Sequence, residues 1–247
     1  MLEGARETIV RQLRVWEELL KARLEVDVPG MVAGVKARVE TRLHLTPLHV
    51  DADLANKPGP LGFGSVRTWA WESAEARKVV LSHIGLRPAI EGLALVIHPS
   101  AGRSAPIFGA DLMALPTRLA VNADVYGPGS ATTGVLDDLG ESFGRLRSQS
   151  GPSWAQAIAS GAGLHAKPSL RLVDDAFAAL TAAIGRYLDV LTTAAPATGT
   201  SQSGDEDAAA PRRAFFAAFH AHGPRKGPLG RLFGAAWAER YSRLIFE

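Results

Sequence analysis

The chain of 247 residues contains no cysteine. This absence excludes disulfide bonds, a thiolate nucleophile, cysteine-ligated zinc and an iron–sulfur cluster held by the protein itself. No apolar run approaches the ~18–20 residues that a membrane-spanning helix needs, and the charged N-terminus lacks an apolar signal core. We therefore expect a cytoplasmic protein without a membrane span, in which electrons for any redox chemistry come from a partner or a bound organic molecule.

Common signatures of catalysis are absent too. The stretches "GFGSV" and "GPGS" lack the strand–turn–helix context of a phosphate-binding loop. There is no HExxH metal motif and no nucleophile elbow. Nucleic-acid binding is not expected, because the aromatic residues near the basic C-terminal end recur at the spacing of a helix core: Phe215, Phe216, Trp237 and Tyr241.

Charge is unevenly distributed along the chain. The net charge is +2, but residues 211–247 contain seven Arg or Lys residues against two Glu, which makes this end +5 and the remainder −3. A basic end suits an anionic ligand or an acidic protein partner. The alternative interpretation is a solvated basic surface.

The composition, 47% hydrophobic and 21% charged residues, predicts one globular domain over residues 1–247. Helical spacing of apolar residues predicts a helix over 5–26, and strict alternation over 35–44 predicts a half-buried strand. Further strands are predicted with connections too short for crossover helices, which indicates an antiparallel meander: 66–72, 76–84, 93–98, 106–114 and 117–125.

The second part of the chain has a helical pattern. Residues 169–191 predict a long helix with Ser169 as its N-cap, and 192–211 predict a flexible loop that is poor in bulky apolar residues. Two helical segments follow. Together the elements predict an α+β fold in which helices cover the faces of an antiparallel sheet.

The strand over 106–114 carries an unexpected carboxylate. Gly109 and Asp111 share one face of this otherwise apolar strand. A carboxyl group buried without a charged partner tends to keep its proton at neutral pH, which would make Asp111 a proton donor; a structural Asp that backbone groups or an Arg satisfy is the alternative. Gly109 leaves room for a flat group, and His83 and His98 are further candidate donors.

Three segments resemble the ferredoxin-dependent bilin reductases. "APIFGADLMA" is similar to that family's strand with its central aspartate, and "RLFGAAWAERYSRLIFE" to its C-terminal helix. "ARKVVLS" resembles an Arg-Lys-containing strand that lies two strands before the aspartate. The segments occur in the family's order.

The resemblance implies an α/β/α sandwich with a linear tetrapyrrole, biliverdin or a related bilin, bound between the sheet and the C-terminal helices. It implies no bound metal or flavin, single electrons from an external [2Fe–2S] ferredoxin, and Asp111 as the residue that protonates the bilin. The basic end, including Arg225 and Lys226, fits both the bilin propionates and an acidic ferredoxin. Arg77 and Lys78 on the Arg-Lys strand are further predicted substrate-binding residues.

Departures from the family pattern concern the other proton donors. Ser82 stands where the best-known branch has a glutamate, and Ala94 where it has a histidine; both positions remain predicted to line the substrate site, with Gly109. His98 shares the face of Ala94 but lies four residues further, about 13 Å at ~3.3 Å per residue. The stretch "HAHGPRKG" lacks the family's late aspartate. Because a single proton donor can protonate one position of the bilin well, we predict a single two-electron reduction.

Two alternatives to a bilin reductase stay open. The chain could be a tetrapyrrole-binding carrier or chaperone without catalysis, or a reductase of a different tetrapyrrole. We expect a monomer, with haem oxygenase or a bilin-accepting photoreceptor as a candidate further partner.

Overall fold

The computed structural model describes residues 26–62, 64–86, 90–101, 103–127, 134–146, 160, 162–194, 217 and 228–246. Over these residues the chain forms one antiparallel sheet with helices on both faces. The eight strands are β1 (Thr46–Pro47), β2 (Asn56–Pro58), β3 (Ser65–Glu72), β4 (Ala76–Leu86), β5 (Ile90–Pro99), β6 (Ile107–Ala114), β7 (Leu119–Tyr126) and β8 (Leu164–Ala166). The α-helices in the described residues are α1 (Val28–Arg42), α2 (Ala52–Ala55), α3 (Gly140–Phe143), α4 (Val173–Thr193), α5 (Pro228–Phe233) and α6 (Ala235–Phe246).

The sheet is a meander. Its strand order is β1-β3-β4-β5-β6-β7-β8, with β2 also pairing with β3. All of these pairings are antiparallel. The five strands predicted between residues 66 and 125 are confirmed, because their short connections allow only neighbouring antiparallel pairing.

Each face of the sheet has its own hydrophobic core. Helices α1 and α4 cover one face, where the sheet contributes residues such as Leu81, Leu95 and Phe108. Helices α5 and α6 cover the other face over β3–β5, where Val80 packs with Tyr241. The predicted α+β class and the α/β/α sandwich are therefore confirmed.

The strand predicted over 35–44 is wrong, since these residues lie largely in α1. The alternation of Val35 and Val39 with charged residues is part of a longer helical pattern, in which the buried residues are Val28, Met31, Val32, Val35 and Val39. The helix also has a start signal that the shorter window missed: Pro lies in its first turn, and the Asp27 carboxylate accepts a hydrogen bond from the backbone N–H of Gly30 at 3.0 Å. Buried apolar residues at this spacing favour a helix over a strand.

The long helix predicted over 169–191 is confirmed as α4, but its start differs. A 3₁₀ turn at Leu170–Leu172 precedes it, and the Ser169 side chain makes no capping hydrogen bond. In the predicted loop over 192–211, Thr192 and Thr193 belong to α4, and residues 195–211 lie outside the described residues. The helix predicted over 5–26 lies outside them as well, apart from Val26.

Polar contacts hold the C-terminal helix α6 against α2 and the sheet. The indole N–H of Trp237 donates to the backbone carbonyl of Asp53 at 3.0 Å, and Arg240 forms ion pairs with Asp51 and Asp53 at 3.0 and 3.2 Å. His98 on β5 donates from Nε2 to the carbonyl of Ile245 at 2.7 Å. Among the described residues, no helix is long and apolar enough to cross a membrane.

Candidate active site

A row of six residues crosses the sheet on the face that α5 and α6 partly cover. Because strands β3 to β8 are antiparallel and in continuous register, each residue lies beside the next across a strand pair. The side chains in such a row project to the same face. In order, the row consists of Thr68, Ser82, Ala94, Asp111, Asn122 and His165.

The row divides between a covered and an accessible part. Thr68 and Ser82 are 3% and 0% exposed, whereas Ala94 and the residues after it in the row are half-buried. The half-buried positions on this face form what we call the open strip: Ala94, Gly109, Asp111, Met113, Ala120, Asn122, Tyr126 and His165. Over β5–β8 this face is therefore less completely buried than at Thr68 and Ser82, beside the part that α6 covers.

Asp111 lies at the centre of the open strip. The Asn122 amide donates from Nδ2 to both carboxylate oxygens, at 3.0 Å to Oδ1 and 2.6 Å to Oδ2. Burial raises the pKa of Asp111 to about 6, and the Asn122 hydrogen bond and the charge of His165 oppose this rise. Asp111 therefore keeps a proton to a much higher pH than an ordinary aspartate.

A hydrogen-bonded chain extends from Asp111 toward the sheet edge. His165 contacts the Asn122 Oδ1 through Nδ1 at 3.1 Å and the Asp124 Oδ2 through Nε2 at 3.0 Å. Asp124 is fully buried, and its Oδ1 accepts hydrogen bonds from the Ser160 hydroxyl and from the backbone N–H groups of Val125 and Ser160. The chain links two carboxyl groups through one amide and one imidazole.

The ring of Tyr126 lies beside Gly109 on the open strip. A Cβ atom at Gly109 would lie 3.1 Å from Cε2 of Tyr126. Burial raises the pKa of the Tyr126 hydroxyl, and the negative charges of Asp124 and Asp111 raise it further. Tyr126 therefore remains a neutral hydrogen-bonding group beside the two carboxyl groups.

Ser82 and Ala94 lie in the same row as Asp111, but they differ in burial. The Ser82 hydroxyl lies 3.3 Å from that of Thr68. Burial raises the pKa of Tyr241 to about 12, and the hydroxyls of Ser82 and Thr68 act to lower it. Ser82 is thus covered by α6, while Ala94 adjoins Asp111 on the open strip without a group that could carry a proton.

The other predicted residues lie further away or outside the described residues. His98 holds α6 through Ile245, and Lys78 is its cross-strand neighbour. The register shifts between Ala76 and Lys78, so Arg77 lies at an irregularity of β4. His83 pairs across the strands with Leu93, which lies in the core of the opposite face, so it projects away from Asp111. Arg225 and Lys226 lie outside the described residues.

The site also contains residues that the sequence did not predict: Asn122, Asp124, Tyr126, Ser160 and His165. One signal was present: Asn122 and Asp124 are two residues apart on the predicted strand 117–125 and therefore share a face. His165 gave no comparable signal, because β8 has only three residues and its partner residues are about 40 positions earlier.

The titratable groups of the site are carboxyl groups and an imidazole, and they form no metal centre within the described residues. In the part of the chain that the structure describes, no group of three or more His, Cys, Asp or Glu side chains could hold a metal ion. The open strip instead presents a carboxyl group with a raised pKa, backed by an imidazole and a second carboxylate. The protein is thus an α/β/α sandwich whose sheet carries a carboxyl group with a raised pKa on the half-buried part of one face.

Comparison with known proteins assigns the family. The sequence model of the ferredoxin-dependent bilin reductases matches residues 32–247. The fold is similar to a crystal structure of phytochromobilin synthase from tomato in complex with biliverdin, with a TM-score of 0.76 and 13% sequence identity over 89% of this chain and 83% of that one. No curated protein sequence matches the chain. The chain therefore belongs to the family of ferredoxin-dependent bilin reductases, as the sequence resemblance predicted.

Membership of this family makes the protein an oxidoreductase that reduces a bilin with electrons from ferredoxin. The residues between 130 and 210, which contain none of the three resembling segments, fall within the matched range.

Proposed function

We propose that the protein reduces one double bond of biliverdin or a related bilin in a single two-electron step, with Asp111 as the proton donor. The observation that carries this proposal is the position of Asp111 on the open strip, where its pKa is raised to about 6. Reduction of one double bond consumes two electrons and two protons. Ferredoxin supplies only the electrons, so the protons must pass through groups of the enzyme or through water.

A carboxyl group with a pKa of about 6 is well suited to this task. It is partly protonated near neutral pH, so it can donate, and its conjugate base is weak enough for the donation to be favourable. As the pH rises above 6 the protonated fraction falls, so the rate of bilin protonation should fall with it. An aspartate with its usual pKa would be almost fully ionised under the same conditions.

The arrangement of the row supports one reduced double bond. The titratable groups on the described part of this row, Asp111 and His165, lie on the β6–β8 side. On the other side of Asp111, Ala94 cannot carry a proton and Ser82 is fully buried. A flat tetrapyrrole lying across the row would therefore meet one carboxyl group, that of Asp111, and no titratable group on the Ala94 side.

An anaerobic turnover assay tests the proposal. Purified protein is mixed with biliverdin, ferredoxin, ferredoxin reductase and NADPH, and the bilin spectrum is followed with time. We expect wild-type protein to consume biliverdin, and Asp111→Asn to do so about 10² to 10⁴ times more slowly, the usual contribution of a general acid. Asp189→Asn is the matched control, because Asp189 is half-exposed in an ion pair with Arg42 on the opposite side of the molecule.

Two results would overturn the proposal. Equal turnover by wild-type protein and Asp111→Asn would remove Asp111 from the chemistry. Tight biliverdin binding without any ferredoxin-dependent spectral change would favour a tetrapyrrole carrier.

A further inference from the structure

The row that contains Asp111 is closed at one end by Tyr241 of α6. Thr68 and Ser82, the first two residues of the row, are buried, and their hydroxyl groups lie 3.3 Å apart. Tyr241 is buried as well and packs in the hydrophobic core of this face with residues of β3 and β4. The hydroxyls of Ser82 and Thr68 act to lower the pKa of Tyr241, so its phenol group lies next to them. A side chain of the protein itself therefore covers the first two positions of the row.

Burial changes at the next residue of the row. Ala94 pairs with Ser82 on one side and with Asp111 on the other, and it is half-buried where Ser82 is fully buried. Because neighbouring strands lie about 4.8 Å apart, the row extends on this side of Asp111 by about one strand spacing before the covered part begins. On the other side it continues over two strands, to Asn122 and His165. A ligand over Asp111 thus has less room toward α6 than away from it.

We propose that Tyr241 is a specificity-determining residue, which limits how far the bilin extends across the sheet beyond Ala94 and so selects the double bond that lies over Asp111. This inference rests on the proposed function of Asp111, which protonates the part of the bilin that lies next to it. The separation of neighbouring pyrrole rings in a tetrapyrrole is close to one strand spacing. A shift of the ligand by one strand would therefore bring a different part of the tetrapyrrole to the same carboxyl group.

Contacts of α6 hold the Tyr241 ring in this position. The ring stacks on that of Trp237, with centroids 5.0 Å apart and planes inclined by 12°. The indole N–H of Trp237 donates to the backbone carbonyl of Asp53 at 3.0 Å. The other end of the helix is held by the hydrogen bond between His98 and the Ile245 carbonyl at 2.7 Å. Displacement of the phenol would disturb contacts at both ends of α6, so the boundary should stay in place when a ligand binds.

The ring of Tyr241, rather than its hydroxyl group, forms this boundary. Burial raises the pKa of Tyr241 to about 12, so the phenol keeps its proton near neutral pH. Among the described residues the hydroxyl has no hydrogen-bond partner of good geometry, although Ser82 and Thr68 lie next to it. Removal of the hydroxyl alone should therefore leave the boundary unchanged, whereas a shorter side chain should open it.

Product analysis of two Tyr241 variants tests the proposal. Wild-type protein, Tyr241→Phe and Tyr241→Leu are supplied anaerobically with biliverdin and reduced ferredoxin, and the reduced bilins are separated by chromatography and identified by their spectra. We expect wild type and Tyr241→Phe to give the same main isomer. Tyr241→Leu keeps an apolar core residue but is too short to reach Ser82. Its ratio of the main isomer to other isomers should fall by at least about tenfold, the lower end of the discrimination that a hydrophobic pocket provides. Thermal unfolding checks that both variants are folded.

A second pair of variants tests the boundary without any turnover. Ala94→Leu adds bulk at the first half-buried position of the row and brings the boundary closer to Asp111. The Kd for biliverdin, measured by absorbance titration, should therefore rise by at least about tenfold. Ala178→Leu makes the same change at an exposed position of α4, which covers the opposite face of the sheet, and should leave the Kd unchanged.

A folded Tyr241→Leu variant with the wild-type isomer ratio would overturn the selection of the double bond. An unchanged Kd in Ala94→Leu would overturn the boundary itself, and an equal loss of selectivity in Tyr241→Phe and Tyr241→Leu would contradict the role of the ring. Equal turnover by wild-type protein and Asp111→Asn would instead remove only Asp111 from the chemistry. If the wild-type protein binds biliverdin without reducing it, the proposed function and the selection of a double bond both fail, and the Kd of Ala94→Leu still decides whether the boundary exists.

Discussion

On one face of strands β6–β8 every side chain is apolar and at most 4% exposed. On the opposite face the same strands carry the open strip, which is half-buried and includes Asp111, Asn122 and His165. The two faces differ because α4 packs over the first, while α6 covers the second only over the neighbouring strands. Alternate residues of one strand project to opposite faces of the sheet. We therefore expect the residues on the closed face to stabilise the fold and those on the open strip to take part in the chemistry.

The closed face should dominate the free energy of unfolding. Phe108 is fully buried and stacks on Tyr187 with ring centroids 4.7 Å apart, and the Tyr187 hydroxyl donates to the Pro106 carbonyl at 2.7 Å. We expect Phe108→Ala to lower the free energy of unfolding by about 3–5 kcal/mol, the usual cost of a large cavity. Denaturant unfolding measures this value.

Met113, on the same strand but on the open strip, provides the contrast with Phe108. Its side chain is half-buried, so Met113→Ala should cost less than about 2 kcal/mol. Equal costs for the two substitutions would contradict the division of the strand into a stabilising and a functional face.

Replacement of Asp111 should raise the free energy of unfolding at neutral pH, whereas most substitutions in the sheet should lower it. Because its pKa is about 6 when folded and 3.8 as the ordinary value, the folded state binds this proton more tightly than the unfolded chain. The resulting stabilisation is complete below pH 3.8 and is lost as the pH rises through 6. We therefore expect Asp111→Asn to be more stable than wild type at pH 7.5, by about 1–3 kcal/mol.

The Asp111→Asn difference should shrink toward zero near pH 3.5, and unfolding at the two pH values checks it. A variant that is less stable than wild type at pH 7.5 would show that the ionised carboxylate is accommodated without cost.

A substitution at Gly163 tests how closely the hydrogen-bonded residues behind Asp111 are packed. A Cβ atom at this position would lie 2.4 Å from Cγ of Asp124, so Gly163→Ala should displace the carboxylate from His165 and cost about 1–3 kcal/mol. Gly140, at the start of α3, has no atom within 4 Å of such a Cβ. Gly140→Ala should therefore be neutral or stabilising by less than about 1 kcal/mol. If the two substitutions cost the same, Asp124 has room to move.

Much of the sheet could be predicted from local sequence, because alternation and short connections determine neighbouring antiparallel strands. Ser82 and Ala94 were assigned to the site of Asp111 through the resemblance to the bilin reductases, and the strand register puts them in one row with Asp111. The strand predicted over 35–44 is wrong because the short pattern around Val35 fits both the two-residue period of a strand and the 3.6-residue period of a helix. Only the earlier apolar residues and Pro29 distinguish the two.

The residues behind Asp111 could not be predicted in this way. His165 meets Asn122 and Asp124 only through the pairing of β7 with a three-residue strand about 40 residues later. Such a contact depends on the whole fold rather than on any local pattern. The burial of Ser82 under Tyr241 likewise depends on the packing of α6, which His98 and Asp53 hold in place.

The pH dependence of a single turnover tests the central claim, that Asp111 protonates the bilin from the open strip, most directly. Wild-type protein loaded with biliverdin is mixed anaerobically with pre-reduced ferredoxin between pH 5 and 9, and the rate of the protonation step is followed spectroscopically. The account predicts a rate that declines above a pH of about 6, in step with the ionisation of Asp111, and a slow rate without this transition in Asp111→Asn. A rate that is independent of pH over this range, or a transition that persists in Asp111→Asn, would contradict it.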